Sequence, residues 1–417
     1  MNSKRYNYSF NFGFTSKIKY PKNIKNLNEI CKSKYNIVGN LYSYNDAAIG
    51  TNPICLKNFN RILNFNARKK TIEAESGILL KDLLENTLKK KLIIKSLPGS
   101  RYVTLGGMIA NNTQGKTIKK SFIKDYLISL KVFHNRKIIN CSLNKNKRLF
   151  LSTIGGKGST GVIISAKLKL DKVHNKNIVL NKTYFDNLED LQSEYQRLRK
   201  NEYLVAWVDY TSKNLDGIIF FASHSKNLPF KRQRVEIIIP KILIWFLNII
   251  SSSKIFTFFF NKVFKFENSV RKKINYHIFD FFFIQDTIKN WNEIFKNKGF
   301  FQYQFRCKFD ELFYTIRNLK NKMMKNKIFS NFMIIKFYEK NNTVYNSVSL
   351  DIPKNSNYNN SCKILTKFAH DYNLDISLSK DSITSKLNHK TISSNNFLKY
   401  KINDKNFKSK FLNRVKK

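Results

Sequence analysis

The chain has 417 residues and a formal net charge of +48, from 76 Lys and Arg against 28 Asp and Glu. An aromatic share of 14% within 42% hydrophobic residues excludes a disordered chain, and the length allows two or three domains around a large core. Five cysteines without CxxC spacing and six histidines without HExxH exclude a disulfide framework or a zinc site built on those patterns.

The lysines run the whole length and travel with asparagine, isoleucine and phenylalanine. An A/T-rich coding sequence leaves that pattern, with lysine and asparagine filling solvated positions. No helix-turn-helix, zinc-finger or RNP motif accompanies the charge, so no specific nucleic-acid partner is expected. Excess positive charge still favours anionic membrane surfaces or phosphorylated substrates. Met1 to Lys22 is basic and aromatic without a continuous apolar run, so no signal peptide is read and a reducing, cytoplasmic setting is expected.

In chain order, β-like runs at Tyr35 to Val38 and Ile54 to Leu56 flank a turn-rich segment, Gly39 to Asp46. Thr71 to Gly77 alternates as a strand, and Leu79 to Lys90 carries apolar residues at 79, 80, 83, 84 and 88, one helical face. Next comes Pro98-Gly99-Ser100-Arg101-Tyr102-Val103-Thr104-Leu105-Gly106-Gly107-Met108-Ile109-Ala110-Asn111-Asn112-Thr113-Gln114-Gly115-Lys116, glycine-dense in a glycine-poor chain. Gly106-Gly107 followed by Met-Ile-Ala predicts backbone NH groups turned toward an anion at the start of a short helix. A second cluster, Gly155-Gly156-Lys157-Gly158-Ser159-Thr160-Gly161, leads into the β-rich run Val162 to Leu170. Of the 14 glycines, 12 lie at or before Gly161, so the backbone demands concentrate in the first two-fifths of the chain. Neither cluster is a GxGxxG or P-loop fingerprint, and a pair of tight turns is the alternative reading. The order of strand, helix, strand and loop predicts a mixed α+β domain over residues 1–172.

Past that point glycine nearly vanishes and aromatics rise. Tyr203 to Tyr210 and Gly217 to Phe221 read as paired strands in the central sheet of a second domain, residues 173–375. The most apolar stretch, 235–266, is broken by Pro240-Lys241 and falls short of the roughly 20 residues that span a bilayer. It reads either as buried core helices or as an interfacial segment flanked by Lys254, Lys262 and Lys265. Phe300 to Phe305, Phe332 to Tyr338, Ser347 to Ile352 and Asp375 to Ser379 read as strands, with helices over Asp310 to Lys325 and Ser361 to Tyr372. This spacing suggests a sheet with helices on one face. A C-terminal segment, 376–417, ends in a lysine-rich stretch from Lys399 that reads as a solvated helix or tail.

The two glycine loops resemble the FAD-binding domain of the vanillyl-alcohol oxidase (PCMH-type) superfamily, and most of the chain resembles the decaprenylphosphoryl-β-D-ribose 2′-oxidase group within it. The likeness runs through Ser43-Tyr44-Asn45-Asp46-Ala47-Ala48, Val205-Ala206-Trp207-Val208-Asp209, Gln302-Tyr303-Gln304-Phe305, Leu350-Asp351-Ile352-Pro353 and Ser379-Lys380-Asp381-Ser382. The implied architecture is α+β, a two-part PCMH-type domain followed by a substrate domain with an antiparallel sheet covered by helices. The implied cofactor is non-covalent FAD, since no histidine occupies the first loop. Its binding residues would be Ser43, Tyr44, Asn45, Asp46, Ala47, Pro98, Gly99, Thr104, Leu105, Gly106, Gly107, Ile109, Ala110, Asn111, Gly115, Lys116, Gly158, Gly161 and Val162.

The resemblance implies Lys380 as the active-site lysine, a donor to the substrate oxygen or a base, with Gln304, Lys336, Tyr44 and Gln114 around the substrate. Three departures stand out. The family's first loop reads Gly-Arg-Ser-Tyr-Gly-Asp, whereas Leu41 and Tyr42 stand for Gly-Arg and Asn45 for the second glycine. Asn45 is expected to keep the turn by tolerating positive φ. Gln114 stands where a histidine is common, and glutamine cannot take a proton at neutral pH. The implied activity is oxidation of a sugar hydroxyl, on a polyprenyl-phosphate-linked or related sugar of cell-surface polysaccharide synthesis, at the inner face of the cytoplasmic membrane. A short-chain reductase partner would complete an epimerisation. A soluble aldonolactone or alditol oxidase, and a catalytically weakened polyanion-binding relative, are the alternatives.

Overall fold

A computed structural model describes residues 5–224, 234–251, 253–270, 273–355, 357–384 and 386–415. The chain divides into two compact units. Unit 1 comprises 1–115, 122–173 and 378–417, and unit 2 comprises 116–121 and 174–377.

In unit 1, β1 (Asn36–Val38) and β2 (Pro53–Cys55) form a parallel pair. Five further strands are β3 (Ile62–Asn66), β4 (Thr71–Glu75), β5 (Leu127–His134), β6 (Lys137–Ser142) and β7 (Val162–Lys169). They make one antiparallel sheet in the order β3-β4-β7-β5-β6. The β5–β6 hairpin turns through Asn135 and Arg136, both at positive φ as a two-residue reversal matching strand twist requires. Helix α1 (Leu80–Leu88) buries Leu80, Leu83, Leu84 and Leu88, the face its apolar period predicts. Helix α2 (Leu105–Asn111) turns Leu105, Met108 and Ile109 inward.

The lysine-rich end is not a solvated tail. Phe407, Phe411 and Leu412 are buried in unit 1, and Phe407 meets the Tyr35 ring edge-on at 6.1 Å. Its apolar residues, Tyr400, Ile402, Phe407, Phe411, Leu412 and Val415, follow no regular period, and lysines at 401, 405, 408 and 410 stand between them.

Unit 2 is built on one eight-stranded sheet, antiparallel throughout. Its strands are β8 (Asn177–Phe185), β9 (Tyr203–Val208), β10 (Gly217–His224), β11 (Lys273–His277), β12 (Phe300–Lys308), β13 (Phe332–Lys340), β14 (Thr343–Pro353) and β15 (Asp375–Ile376). The order is β11-β8-β10-β9-β13-β14-β12-β15. Strand alternation gives the sheet two chemistries. One face carries Tyr303, Phe305, Phe337, Val348 and Leu350, all buried, beneath helices α3 (Leu188–Leu198) and α7 (Tyr358–Asp371). Tyr195 of α3 stacks on Phe337 at 4.7 Å, and the Tyr303 hydroxyl donates to Leu365 O of α7 at 3.1 Å.

The opposite face presents Gln302, Gln304, Arg306, Lys336, Ser347 and Asp351, by the same alternation. Helices α4 (Lys241–Ile250) and α5 (Lys254–Val270) precede β11, and α6 (Leu312–Lys325) follows β12. The expectation of helices on a single face needs correction, because Phe264 of α5 packs on Trp207 of the polar side at 4.9 Å.

Candidate functional site

In unit 1 the first loop is held by side chains rather than by a glycine turn. Asn45, fully buried, accepts from the Ser43 hydroxyl at 2.6 Å and from Ala47 N at 3.1 Å. Its amide donates to Leu378 O at 3.1 Å and Asn111 Oδ1 at 3.3 Å. Positive φ falls on Leu41 (60°) instead of Asn45, so the expectation for Asn45 is corrected: it fixes the loop through its amide. Leu41 keeps a backbone shape that a glycine would adopt without strain.

Asp46 is fully buried and binds Arg414, whose Nη2 donates to Asp46 Oδ1 at 2.9 Å and whose Nη1 donates to Asp381 Oδ2 at 2.8 Å. Burial opposes the charge of Arg414, but Asp381 and Asp46 together raise its pKa above the ordinary value. Sequence reasoning assigned Asp46 to the cofactor and missed Arg414, which has no signal in a tail rich in basic residues. Lys380 is half-buried, and its Nζ stands 3.7 Å from the centre of the buried Tyr44 ring. Tyr42, at the missing arginine, stacks on Tyr8 at 5.0 Å.

The second loop separates into a packed side and an open side. Thr104 caps α2, accepting from Gly107 N at 3.1 Å, and Asn111 donates back to Gly107 O at 3.0 Å. Gly106, Gly107, Ala110 and Asn111 are half-exposed on one face of α2, while Leu105 and Ile109 are buried. A Cβ on Gly107 would meet only Thr104 Oγ1, at 3.1 Å, and one on Gly39 would meet the same threonine at 2.9 Å. Beyond that one threonine neither Cβ would meet another residue, whereas a Cβ on Gly106 would lie 3.0 Å from Ser76 Cβ. Pro98 and Gly99 lie half-exposed earlier in the loop.

Other residues of the expected cofactor set are closely packed. A Cβ on Gly115 would lie 2.7 Å from Ser96 Cα, and one on Gly161, at φ +117°, would lie 2.2 Å from Phe133 O. Gly158 backs onto the Phe407 ring, and Val162 is wholly buried with Phe133 and Ile54. The Gly155–Gly161 loop is tied to α2 by Gly155 N to Ile109 O and Lys157 N to Ala110 O, both at 2.9 Å.

Gln114 remains in unit 1, half-buried, bridged to Phe122. Lys116 belongs to unit 2. Its Nζ donates to Phe281 O at 2.5 Å and lies 4.6 Å from the Phe281 ring centre. Burial, and then the charge of Lys336, lowers its pKa to about 7. Burial lowers that of Lys336 to about 8. Ser347 is directly across β14 from Lys336 and accepts from Gln304 Nε2 at 2.7 Å. Gln302 donates to Asp351 on the same face. Unit 2 thus joins Lys116, Lys336 and Gln304 into a polar group, and unit 1 joins Tyr44 to Lys380. Among the described residues, no group of three or more His, Cys, Asp or Glu is placed to hold a metal ion.

An open glycine-bordered face on α2, beside a loop fixed by buried polar bonds, suits a ligand that needs several convergent backbone donors, as a diphosphate does. The FAD binding domain family matches residues 19–140, the span containing both. The chain carries a PCMH-type FAD-binding domain. FAD is its cofactor. L-Gulonolactone oxidase of Bos taurus is 28% identical over 197 residues, 46% of this chain and 43% of the relative. Decaprenylphosphoryl-beta-D-ribose oxidase of Mycolicibacterium smegmatis is 24% identical over 283 residues, 64% of this chain and 61% of the relative. D-lactate dehydrogenase of Anaerostipes hadrus is 29% identical over 144 residues, 33% of this chain and 30% of the relative. The chain therefore spans less than two thirds of the length of each of these relatives.

Proposed function

We propose that the protein is an FAD-dependent oxidoreductase that oxidises a CH–OH group of a sugar carrying a phosphate, of the polyprenyl-phosphate-linked kind. The observation that carries this reading is the Lys116–Lys336 pair beside Gln304 on the polar face of unit 2. FAD, when bound, supplies the acceptor for two electrons. Between pH 7 and 8 the lysine pair shares about one proton. A neutral Lys116 amine can take the hydroxyl proton at Nζ while a protonated Lys336 holds an anionic oxygen. Gln304, steadied by Ser347, can orient a sugar hydroxyl through its amide. Within unit 1, the Lys380 ammonium is held over the Tyr44 ring.

The ketone so formed calls for a reductase acting next, which fits a short-chain reductase partner and a net epimerisation. A cytoplasmic-face location fits the expected lipid carrier. Similarity to the decaprenylphosphoryl-beta-D-ribose oxidase, whose alignment extends well past the FAD-binding domain, supports this substrate class.

A second reading, a soluble aldonolactone oxidase, draws on the likeness to L-gulonolactone oxidase. Anaerobic titration of the purified yellow protein separates the two. Bleaching by a polyprenyl-phosphate pentose and not by L-gulono-1,4-lactone is the expected result, and the reverse favours the lactone oxidase. A protein that stays colourless after incubation with FAD removes both.

A further inference from the structure

Helices α4 and α5 are inside out. The buried side chains of α5 are Thr257, Asn261 and Asn268, and those of α4 are Ile244 and Asn248. The outward positions are apolar: Ile242 is 80% exposed, Trp245 64%, Ile255 70%, Phe259 62%, Val263 65% and Phe266 72%. Most of the exposed large apolar side chains among the described residues fall between 235 and 288. A contiguous surface of this kind marks an interaction site.

Hydrogen bonds fix this orientation. Asn261 Nδ2 donates to Asp209 Oδ1 at 2.7 Å, Thr257 Oγ1 to Asn331 Oδ1 at 2.8 Å and Asn248 Nδ2 to Glu293 O at 3.0 Å. Lys265 pairs with Asp209 at 3.1 Å and also with Asp216. Rolling α5 to bury its phenylalanines would take Asn261 and Lys265 away from Asp209, which is 2% exposed, and leave its charge uncompensated. The apolar face is therefore held outward by the polar one.

Charge and geometry select the occupant. Lys265 is held inward by Asp209 and Asp216, which leaves exposed Lys241, Lys254 and Lys262 on the two helices against one acid, Glu267, with exposed Arg234, Lys273 and Lys289 flanking them. No single described helix is long and apolar enough to cross a membrane, and the pair is bent by 117°. Ten residues of α4 rise about 15 Å, half the hydrocarbon thickness. A second copy would set these lysines against each other in chains of net charge +48. We propose that the outward face of α4 and α5 docks in the plane of an anionic phospholipid bilayer, with the aromatic and aliphatic side chains at the acyl boundary and the lysines at the headgroups. This goes beyond the flavin reading and does not depend on it.

The test uses the purified full chain with sucrose-loaded vesicles of phosphatidylglycerol and phosphatidylcholine, and with vesicles of phosphatidylcholine alone. The expected result is sedimentation with the anionic vesicles, weakened by salt, together with quenching of tryptophan fluorescence by brominated acyl chains that is lost in W245F. The double variant W245Q/F259Q should partition at least 10-fold less with an unchanged urea midpoint. K241E/K262E should fall by about 10-fold or more through charge alone. Equal partitioning of wild type and both variants overturns the proposal. So does a concentration-dependent dimer that shields Trp245 without vesicle binding. Vesicle binding by a chain that takes up no FAD leaves docking standing and removes the proposed oxidoreductase; flavin reduction without vesicle binding does the reverse.

Discussion

Lys380 Nζ stands 3.7 Å from the centre of the Tyr44 ring, which couples the Ser379–Ser382 segment to the first loop within unit 1. The ring face attracts the ammonium, a contact worth roughly 0.5–2 kcal/mol depending on desolvation. Tyr44→Phe keeps the ring and should leave substrate-driven flavin reduction within about 3-fold of wild type. Tyr44→Leu removes the quadrupole and should slow it by about 5- to 10-fold. Lys380→Met should cost more than either. Stopped-flow bleaching at saturating substrate reads all three, and equal rates for Phe and Leu would refute a role for the ring.

Arg414 binds two buried carboxylates from separate segments, Asp46 and Asp381. Removing one partner of such a cluster leaves uncompensated buried charge, at a cost of about 3–5 kcal/mol. Arg414→Ala should therefore lower the urea midpoint of unfolding sharply and reduce FAD retention. Arg414→Lys keeps the charge but loses the planar fork that reaches both acids, so an intermediate loss is expected. An Arg414→Ala protein with wild-type midpoint and full flavin would show that the cluster is dispensable.

The strands of the unit 2 sheet were legible where apolar residues alternate, as in Phe300–Phe305 and Phe332–Tyr338. β8 was not, because Asn181, Lys182 and Thr183 interrupt its apolar run in a chain where asparagine and lysine occur everywhere. The β5–β6 hairpin hid behind an Asn-Arg turn, which lacks the glycine that usually marks such reversals. Helices α4 and α5 were legible as helices, yet hydrophobicity alone leaves open which side faces inward. That is decided by Asp209, Asn331 and Glu293, far away in sequence. For the site, glycine density located the α2 loop. It could not separate open positions such as Gly107 from packed ones such as Gly161, a distinction that depends on the neighbouring Phe133.

That separation is itself testable. Gly107→Val places side-chain atoms into the open space beside Thr104 and should lower FAD affinity at least 10-fold, measured by flavin titration, with a small change in the apo-protein's thermal midpoint. Gly161→Ala forces a Cβ to within 2.2 Å of Phe133 O at a φ that favours glycine. It should destabilise the apo-protein by about 2 kcal/mol or more. If both variants lose stability alike, the open side of α2 is not a ligand cradle.

The lysine pair predicts two pH dependences. Lys116 and Lys336 have folded-state pKa values of about 7 and about 8, both below the ordinary lysine value of 10.5. Below pH 7 both states are protonated and the folded state bears the full burial cost. From there towards 10.5 the unfolded chain binds more protons than the folded one, so stability rises with pH in this window, on the order of 1 kcal/mol per pH unit. Urea midpoints of the wild type should climb from pH 7 to 9, and those of Lys116→Met/Lys336→Met should stay nearly flat. Catalysis follows the same amine. If neutral Lys116 takes the hydroxyl proton, the rate of flavin reduction should rise through about pH 7. Lys336 lowers the Lys116 value by like charge, so Lys336→Met should move that rise to higher pH while slowing the maximum rate. A reduction rate independent of pH between 6 and 9 in both proteins would remove Lys116 as the base.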